Sequence, residues 1–165
     1  MSLFFNRLKF LASATNQHGL HSPFVFNYIT KCIYHKKTYK QSKTIDVLLK
    51  SIAYFNYQNI QVIGNTIVRD LIRQKFKNCN FDENKIDLMY ADELTPKVFN
   101  VFLSEEKTHN NSMLLINSIN KNKNTLKQWQ QIVAAEKATV TIDFFSCGVV
   151  FKRKEQVKEH FKIRL

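Results

Sequence analysis

The amino-acid sequence predicts an α/β domain preceded by a basic helical arm. In the first third of the chain, apolar residues recur at helical spacing. From residue 59 onward, short apolar runs of strand length alternate with segments of helical periodicity. That alternation is typical of a mainly parallel sheet with helices on both faces. We place the arm at residues 1–57 and the α/β domain at residues 58–165, together forming one compact unit.

Three helices are expected in the arm. Phe4, Leu8 and Leu11 share one face of the first helix. Ser22 followed by Pro23 predicts the start of the second, because Ser caps a helix amino terminus and Pro suits the first turn. The apolar face of the third helix consists of Ile45, Leu48, Leu49, Ile52 and Phe55.

The domain is expected to contain about five strands, mostly parallel with one antiparallel strand near the C-terminus. Three apolar runs, NIQVIG, KIDLMYAD and SMLLINSI, predict strands that are each followed by a helix. The β-rich run ATVTIDFFSCGVVFKR predicts a hairpin that turns at Ser146–Gly148. A short helix carrying Val157 and Phe161 is expected to follow, because Glu and Lys pair there at helical spacing.

Composition narrows the class of protein. A hydrophobic fraction of 44% and an aromatic fraction of 13% are too high for a disordered chain. The formal net charge of +12 attracts polyanions such as RNA, DNA or acidic membranes, which makes nucleic-acid binding one candidate function. The charge is uneven, since residues 1–58 hold 8 Lys or Arg residues and a single acid, Asp46.

The cysteines and the N-terminus predict a cytoplasmic protein. Cys32, Cys79 and Cys147 are far apart and lack the spacing of a zinc site, so we expect reduced thiols and no metal. The N-terminal run MSLFFNRLKFLASAT is interrupted by polar and basic residues, whereas a secretory signal needs an unbroken apolar run. No stretch approaches the roughly 20 apolar residues of a membrane span.

The segment NQHGLHSPF places two histidines, His18 and His21, three residues apart. Such a pair could contribute to a metal site, but it needs further ligands, and no acid lies nearby in the sequence. The better-supported interpretation is that the two histidines order a tight turn before the helix that begins at Ser22.

Candidate ligand-binding residues lie where the predicted strands end. In α/β sheets, ligands bind at the carboxyl ends of the strands. The first strand is followed by Gly64, Asn65 and Thr66, and the second by Asp92. We predict these four residues as cofactor-binding. For Asp92, the residues alone favour a second interpretation, as the cap of the helix that begins near Thr95.

No catalytic residue is predicted. The third strand ends at Asn117 and Ser118, and neither side chain is an acid or a base near neutral pH. The sequence has no GxSxG motif, and no histidine is placed by sequence to activate Cys147. Gly64 is a weak nucleotide-binding signal on its own, because nucleotide-binding fingerprints contain two or three glycines.

The two ends of the chain resemble a known family. NQHGLHSPFVF, followed by TKCIY, resembles the N-terminal arm of a bacterial subgroup of class I S-adenosylmethionine-dependent methyltransferases. VTIDFFSCGVVFKRKEQVKEHFKIRL is similar to the C-terminal end of that subgroup, and IDLMYAD and SMLLINSI are similar to its fourth and fifth strands. The resemblance spans nearly the whole chain. It implies S-adenosylmethionine as cofactor and a Rossmann-like sheet with the strand order 3-2-1-4-5-7-6.

The chain departs from the family pattern at the cofactor site. Where the family has an acid and a glycine-rich turn after the first strand, this sequence reads IQVIGNTIV. Only residues 65–85 separate the first strand from the match to the family's fourth, and a strand-helix-strand unit needs roughly 30 residues. The second and third strands are therefore expected to be missing. The subgroup's acidic pair and histidine after the fifth strand are replaced by Asn117, Ser118 and Asn120.

Together, the resemblance and the departures imply a shortened, degenerate methyltransferase fold. We expect a truncated sheet of order 1-4-5-7-6, with the basic helices of the arm covering the new edge. Cofactor binding and catalysis would be weakened or lost, leaving a binding or scaffold protein that acts with a protein partner or as a homo-oligomer. The alternatives are an active methyltransferase completed by a partner or homodimer, with Asp92 orienting the substrate, and a nucleic-acid-binding module.

Overall fold

The computed structural model describes residues 3–15, 20–36, 39–81 and 83–165, with side chains from Phe5 onward in the first range. The helices in these ranges are α1 (Leu3–Ser13), α2 (Pro23–Asn27), α3 (Lys43–Phe55), α4 (Thr66–Lys75), α5 (Pro96–Leu103) and α6 (Lys123–Ala134). A π-helix, Tyr28–Ile33, continues α2. The strands are β1 (Asn59–Ile63), β2 (Asn80–Phe81), β3 (Ile86–Ala91), β4 (Thr108–Asn117), β5 (Val140–Asp143), β6 (Cys147–Phe151) and β7 (Glu159–Lys162).

All seven strands belong to one sheet, in the order β2-β1-β3-β4-β6-β5-β7. Neighbouring strands are parallel except where β6 pairs with β4 and with β5. The prediction of a mainly parallel sheet with one antiparallel strand near the C-terminus is therefore confirmed. The hairpin from β5 to β6 is also confirmed, but its predicted turn at Ser146–Gly148 is wrong. The turn lies at residues 144–146, because Cys147 and Gly148 already pair with neighbouring strands as the start of β6.

The predicted count of about five strands is wrong, because each edge of the sheet carries one more. At one edge, the two residues of β2 pair with the start of β1, where Phe81 lies opposite Ile60. At the other edge, β7 occupies the segment that was predicted to be a helix. Its backbone pairs with β5, so its hydrogen bonds go to a neighbouring strand, while Val157 is 80% exposed.

Helices cover both faces of the sheet, as predicted. The core on one face includes residues of α2, the π-helix, α3 and α4, and the core on the other includes residues of α5 and α6. Side chains of β3 alternate between the two cores: Leu88 and Tyr90 enter the first, and Met89 and Ala91 the second. Burial on both faces explains why the strand is continuously apolar from Leu88 to Ala91.

The helices of the arm pack on a face of the sheet. The rings of Phe24, Tyr28 and Phe55 lie 5.0, 5.7 and 5.9 Å from the ring of Phe151 in β6. The expectation that the arm covers the β1 edge is therefore wrong, and β2 pairs with that edge instead. These aromatic side chains belong to the apolar core on that face of the sheet or pack against it.

Two predicted helix starts are confirmed by their caps. Ser22 Oγ accepts the backbone N–H three residues further on, and Pro23 begins α2. The α5 cap is Thr95, whose Oγ1 accepts the N–H of Val98 at 3.3 Å. The interpretation of Asp92 as that cap is therefore wrong, because Thr95 already satisfies the exposed N–H group and Asp92 lies three residues earlier.

The orientation predicted for α1 is wrong, although the helix itself is confirmed. Leu8 and Leu11, assigned to its apolar face, are 47% and 38% exposed. Phe10 is buried instead, with its ring 5.4 Å from that of Phe145. The contact between Phe10 and Phe145 sets the rotation of this helix about its axis. Sequence periodicity cannot predict a contact between residues so far apart in the chain.

Candidate functional site

Asp92 is the centre of a hydrogen-bonded junction at the carboxyl edge of the sheet. Its Oδ1 accepts hydrogen bonds from Asn117 Nδ2 and from the Tyr90 hydroxyl, each at 2.9 Å. Its Oδ2 accepts from Asn65 Nδ2 at 3.4 Å. The three donors come from the start of α4 and from strands β3 and β4. One half-buried carboxylate therefore connects the ends of three elements.

Gly64 forms the turn between β1 and α4 and lies against Asp92. Its φ of +81° is in the left-handed region, which favours glycine. A Cβ added there would lie 3.4 Å from Cβ of Asp92. The backbone N–H of Asp92 also donates to the carbonyl of Ile63 at 3.1 Å. The turn is thus fitted closely to the residue that it faces.

Asn65 and Thr66 begin α4. Asn65 Oδ1 accepts the N–H of Val68 at 3.0 Å and caps the helix, while its Nδ2 donates to Asp92. Thr66 is exposed at the first helical position. The structure therefore brings Gly64, Asn65 and Asp92 together, and leaves Thr66 beside them on the surface.

A cleft of about 530 Å³ opens beside Gly64 and Asp92, between the ends of β1 and β3 and helix α5. Its charged lining residues are Asp92, Glu93 and Lys97, whereas Asn65 and Thr66 do not line it. Gln61 also lines the cleft, and its buried Oε1 has no hydrogen-bond partner among the described residues. The volume is within the range of small-molecule sites, roughly 300–1,000 Å³. Cofactor binding by the four predicted residues stays a prediction.

The three polar residues at and after the end of β4, namely Asn117, Ser118 and Asn120, all make hydrogen bonds within the protein. Asn117 donates to Asp92, and the backbone N–H of Ser118 donates to the carbonyl of Ser146 at 2.8 Å. Asn120 Nδ2 donates to the carbonyl of Phe145 at 3.0 Å. Amides and a hydroxyl in these positions offer neither a general base nor a strong metal ligand.

The histidine pair of the opening segment is only partly described. His21 is exposed, and His18 lies outside the described residues. Within the described ranges, no group of three or more His, Cys, Asp or Glu side chains is arranged to hold a metal ion. None of the helices in those ranges combines the length and the apolar character needed to cross a lipid bilayer.

A second cleft, of about 830 Å³, lies at the opposite, amino-terminal edge of the parallel strands. Its lining includes four lysines, namely Lys85, Lys137, Lys152 and Lys154. They come from the segments before β3, before β5 and after β6, which are distant in sequence. Sequence reasoning missed this cleft because only the strand topology assembles it, and the high net charge was its one visible signal.

Comparison with known proteins gives no family assignment. No protein-family model, no curated protein and no solved structure matches the chain. Its function therefore has to be argued from the two clefts and from the residues that surround them.

Proposed function

We propose that the chain is a degenerate class I methyltransferase fold that acts as a binding or scaffold protein, with S-adenosylmethionine binding weakened or lost. Two features support the proposal. The first is the order of the central strands, and the second is the way in which the polar residues of the carboxyl edge bond to one another. The hydrogen bonds among these polar residues are the observation that supports the loss of cofactor binding and catalysis.

The strand order supports the proposed relation to the class I methyltransferase fold. The central strands β1-β3-β4-β6-β5 have the order and the directions expected of strands 1-4-5-7-6 in the resembled family. In particular, β6 lies antiparallel between β4 and β5, as the family's seventh strand lies between its fifth and sixth. β2 takes the place of the family's second strand, but two residues are too few to present an acid to a ribose. A truncated Rossmann-like sheet is accordingly part of the proposal.

The loss of cofactor binding is inferred from Asp92, whose carboxylate already accepts three hydrogen bonds from donors within the chain. A carboxylate has about four acceptor positions, so little capacity is left for a ligand hydroxyl. A ligand that displaced these donors would leave half-buried amide and hydroxyl groups without partners, which is unfavourable. The turn after β1, at Ile63, Gly64 and Asn65, supplies no acid in compensation.

Calorimetric titration with S-adenosylmethionine and S-adenosylhomocysteine tests the proposal. We expect no saturable heat at ligand concentrations up to the millimolar range. Saturable binding with a dissociation constant in the micromolar range would contradict it, provided that the signal depends on the cleft. Lys97→Trp serves as that control, because Lys97 is exposed on α5 and lines the cleft, so a larger side chain there would obstruct the cleft without straining the backbone.

The cleft beside Gly64 and Asp92 favours one alternative, an active methyltransferase completed by a partner chain or a second copy. Methyl transfer needs no protein nucleophile, because holding the sulfonium group and the acceptor in line contributes much of the rate. Labelled methyl transfer to components of a cell extract, lost in Lys97→Trp, would support this alternative. Labelling that is absent, or unchanged in the variant, would count against it.

A further inference from the structure

We propose that the amino-edge cleft is a binding site for a small ligand that carries two or more linked phosphate groups. The site is separate from the cleft beside Asp92, because the two lie at opposite edges of the sheet. The proposal therefore does not depend on whether the chain binds S-adenosylmethionine.

Positive charge is concentrated at this cleft. Four lysines line it, against two acids, Glu105 and Glu155. Lys152 is half-buried, whereas Lys85, Lys137 and Lys154 are exposed around it. Burial lowers the pKa of Lys152, Glu105 opposes that change, and the other three lysines lower the pKa further. An anion placed among these amines would relieve their mutual repulsion.

The four lysine amines differ in whether they form hydrogen bonds or ion pairs with described residues of the protein. Lys85 Nζ donates to the backbone carbonyl of Glu105 at 2.7 Å. Lys154 Nζ lies 3.2 Å from a carboxylate oxygen of Glu105, but both side chains are more than three-quarters exposed, so water screens that pair. Lys137 and Lys152 make no hydrogen bond or ion pair with any residue in the described part of the chain. These two are the expected first contacts of a phosphate.

The neutral polar groups of the cleft already have partners. Thr108 Oγ1 donates to the carbonyl of Phe102 at 2.6 Å, and Thr139 Oγ1 to that of Arg153 at 3.0 Å. Asn110 Nδ2 donates to Glu155 at 2.8 Å. Recognition therefore falls to the lysine amines, which bind phosphate as point charges.

The lining favours linked phosphates over a nucleobase. No Phe, Tyr or Trp side chain is among the described residues that line the cleft, and its one ring, the imidazole of His109, is held by Asp87, with Nε2 2.9 Å from Oδ1. Several amines around one cavity match a ligand with several adjacent negative charges better than a single carboxylate. A volume of about 830 Å³ accommodates a ligand of nucleotide size.

Calorimetric titration of the full chain with inorganic triphosphate at low ionic strength tests the proposal. We expect saturable binding of one triphosphate per chain, at least about tenfold tighter than the binding of orthophosphate. Raising the salt concentration should weaken the binding, because the exposed lysines are screened. Absence of saturable binding, or equal affinity for the two anions, would overturn the proposal.

A matched pair of double variants separates the cleft from the general charge of the protein. Lys137→Gln/Lys152→Gln removes two charges from the cleft, and Lys123→Gln/Lys127→Gln removes two from exposed positions on α6. We expect the first pair to weaken triphosphate binding by at least about tenfold and the second by less than about twofold. Equal losses in the two variants would refute a local site.

Two further measurements keep the proposal testable if the cleft variant does not fold. In the unmodified protein, triphosphate should shift the amide resonances of Leu103, Thr139 and Lys152, and leave those of Gly64 and Asp92 unchanged. The reverse pattern would refute the assignment. Competition with a single-stranded oligonucleotide is the second measurement. If the oligonucleotide displaces triphosphate and the amide resonances that respond to triphosphate lie outside the cleft, anion binding belongs to the wider basic surface and the proposal is overturned.

Discussion

The side chains of Asn117 and Asp92 meet at the carboxyl edge of the sheet, with Nδ2 of Asn117 2.9 Å from Oδ1 of Asp92. The hydroxyl of Tyr90 donates to the same oxygen, and Asn65 donates to the other. In a parallel sheet this edge is where ligands bind, and an acid placed there would ordinarily face the ligand. Here the acid holds strand ends together, which accords with the proposed loss of cofactor binding.

Replacing Asp92 is expected to destabilise the protein. Asp92→Ala removes the acceptor of three hydrogen bonds and leaves three donors without a partner at a half-buried position. We expect a loss of roughly 2–3 kcal/mol in the free energy of unfolding, measured by urea denaturation. The neighbouring Glu93 is the matched control, because its carboxylate is 79% exposed and makes only a 3.8 Å contact with Lys121. Glu93→Ala should change stability by less than about 0.5 kcal/mol.

A different result at Asp92 would change the functional interpretation. Residues kept for ligand binding are frequently neutral or unfavourable for stability, so their removal costs little or even stabilises the fold. If Asp92→Ala were as stable as the unmodified protein, Asp92 would be held for a ligand rather than for the fold. That outcome would contradict the structural role assigned here.

Local signals in the sequence predict much of this fold. The caps at Ser22 and Thr95 depend on one side chain and the backbone within three residues, so motif reasoning finds them. The apolar runs of β1, β3 and β4 are equally local, and from Leu88 onward in β3 and in the second half of β4 they are continuous because those residues are buried. The candidate residues Gly64 and Asp92 follow directly from where those runs end.

Features that depend on distant partners were missed. The segment at Glu159–Lys162 has helical charge pairs, yet its backbone pairs with β5, a contact that no local pattern encodes. β2 has two residues and therefore no periodicity to detect. The lysines of the amino-edge cleft are separated by up to about 70 residues, and only the crossings between strands bring Lys85 next to Lys152.

Gly148 has no room for a larger side chain. A Cβ at this position would lie 2.6 Å from Cζ3 of Trp129, which is 2% exposed. Because a buried indole in a sheet–helix interface cannot shift freely, we expect Gly148→Ala to reduce the free energy of unfolding by roughly 1–3 kcal/mol. Urea denaturation measures the loss, and the emission of Trp129, the one tryptophan of the chain, should change with it.

Trp129→Phe, which introduces a smaller ring, provides the control for the clash at Gly148. In a Trp129→Phe background, adding Gly148→Ala should cost less than in the unmodified protein, since part of the clash has been removed. The coupling between the two changes, obtained from a double-mutant cycle, is expected to be at least about 0.5 kcal/mol. Additive effects would show that Gly148 is needed for a reason other than contact with Trp129.

The three thiols should differ sharply in reactivity in the folded protein. Burial raises the pKa of Cys32 and that of Cys147 to about 12, and both side chains are almost fully enclosed. At pH 8, therefore, very little of either thiol is present as the thiolate, which is the reactive form. Burial also raises the pKa of Cys79, but that side chain is only half-buried. A disulfide reagent is therefore expected to modify one thiol per chain in the native state.

Unfolding provides the internal standard for this measurement. In concentrated guanidinium chloride all three cysteines should react at the rate of a free thiol, whereas in the native protein Cys32 and Cys147 should react only as fast as the structure opens. Cys79→Ser should abolish the fast native reaction and leave the slow one unchanged. Cys32 and Cys147 are buried in the core that the arm helices form with β6. Rapid modification of two or three thiols in the native protein would mean that this core opens far more readily than its packing implies.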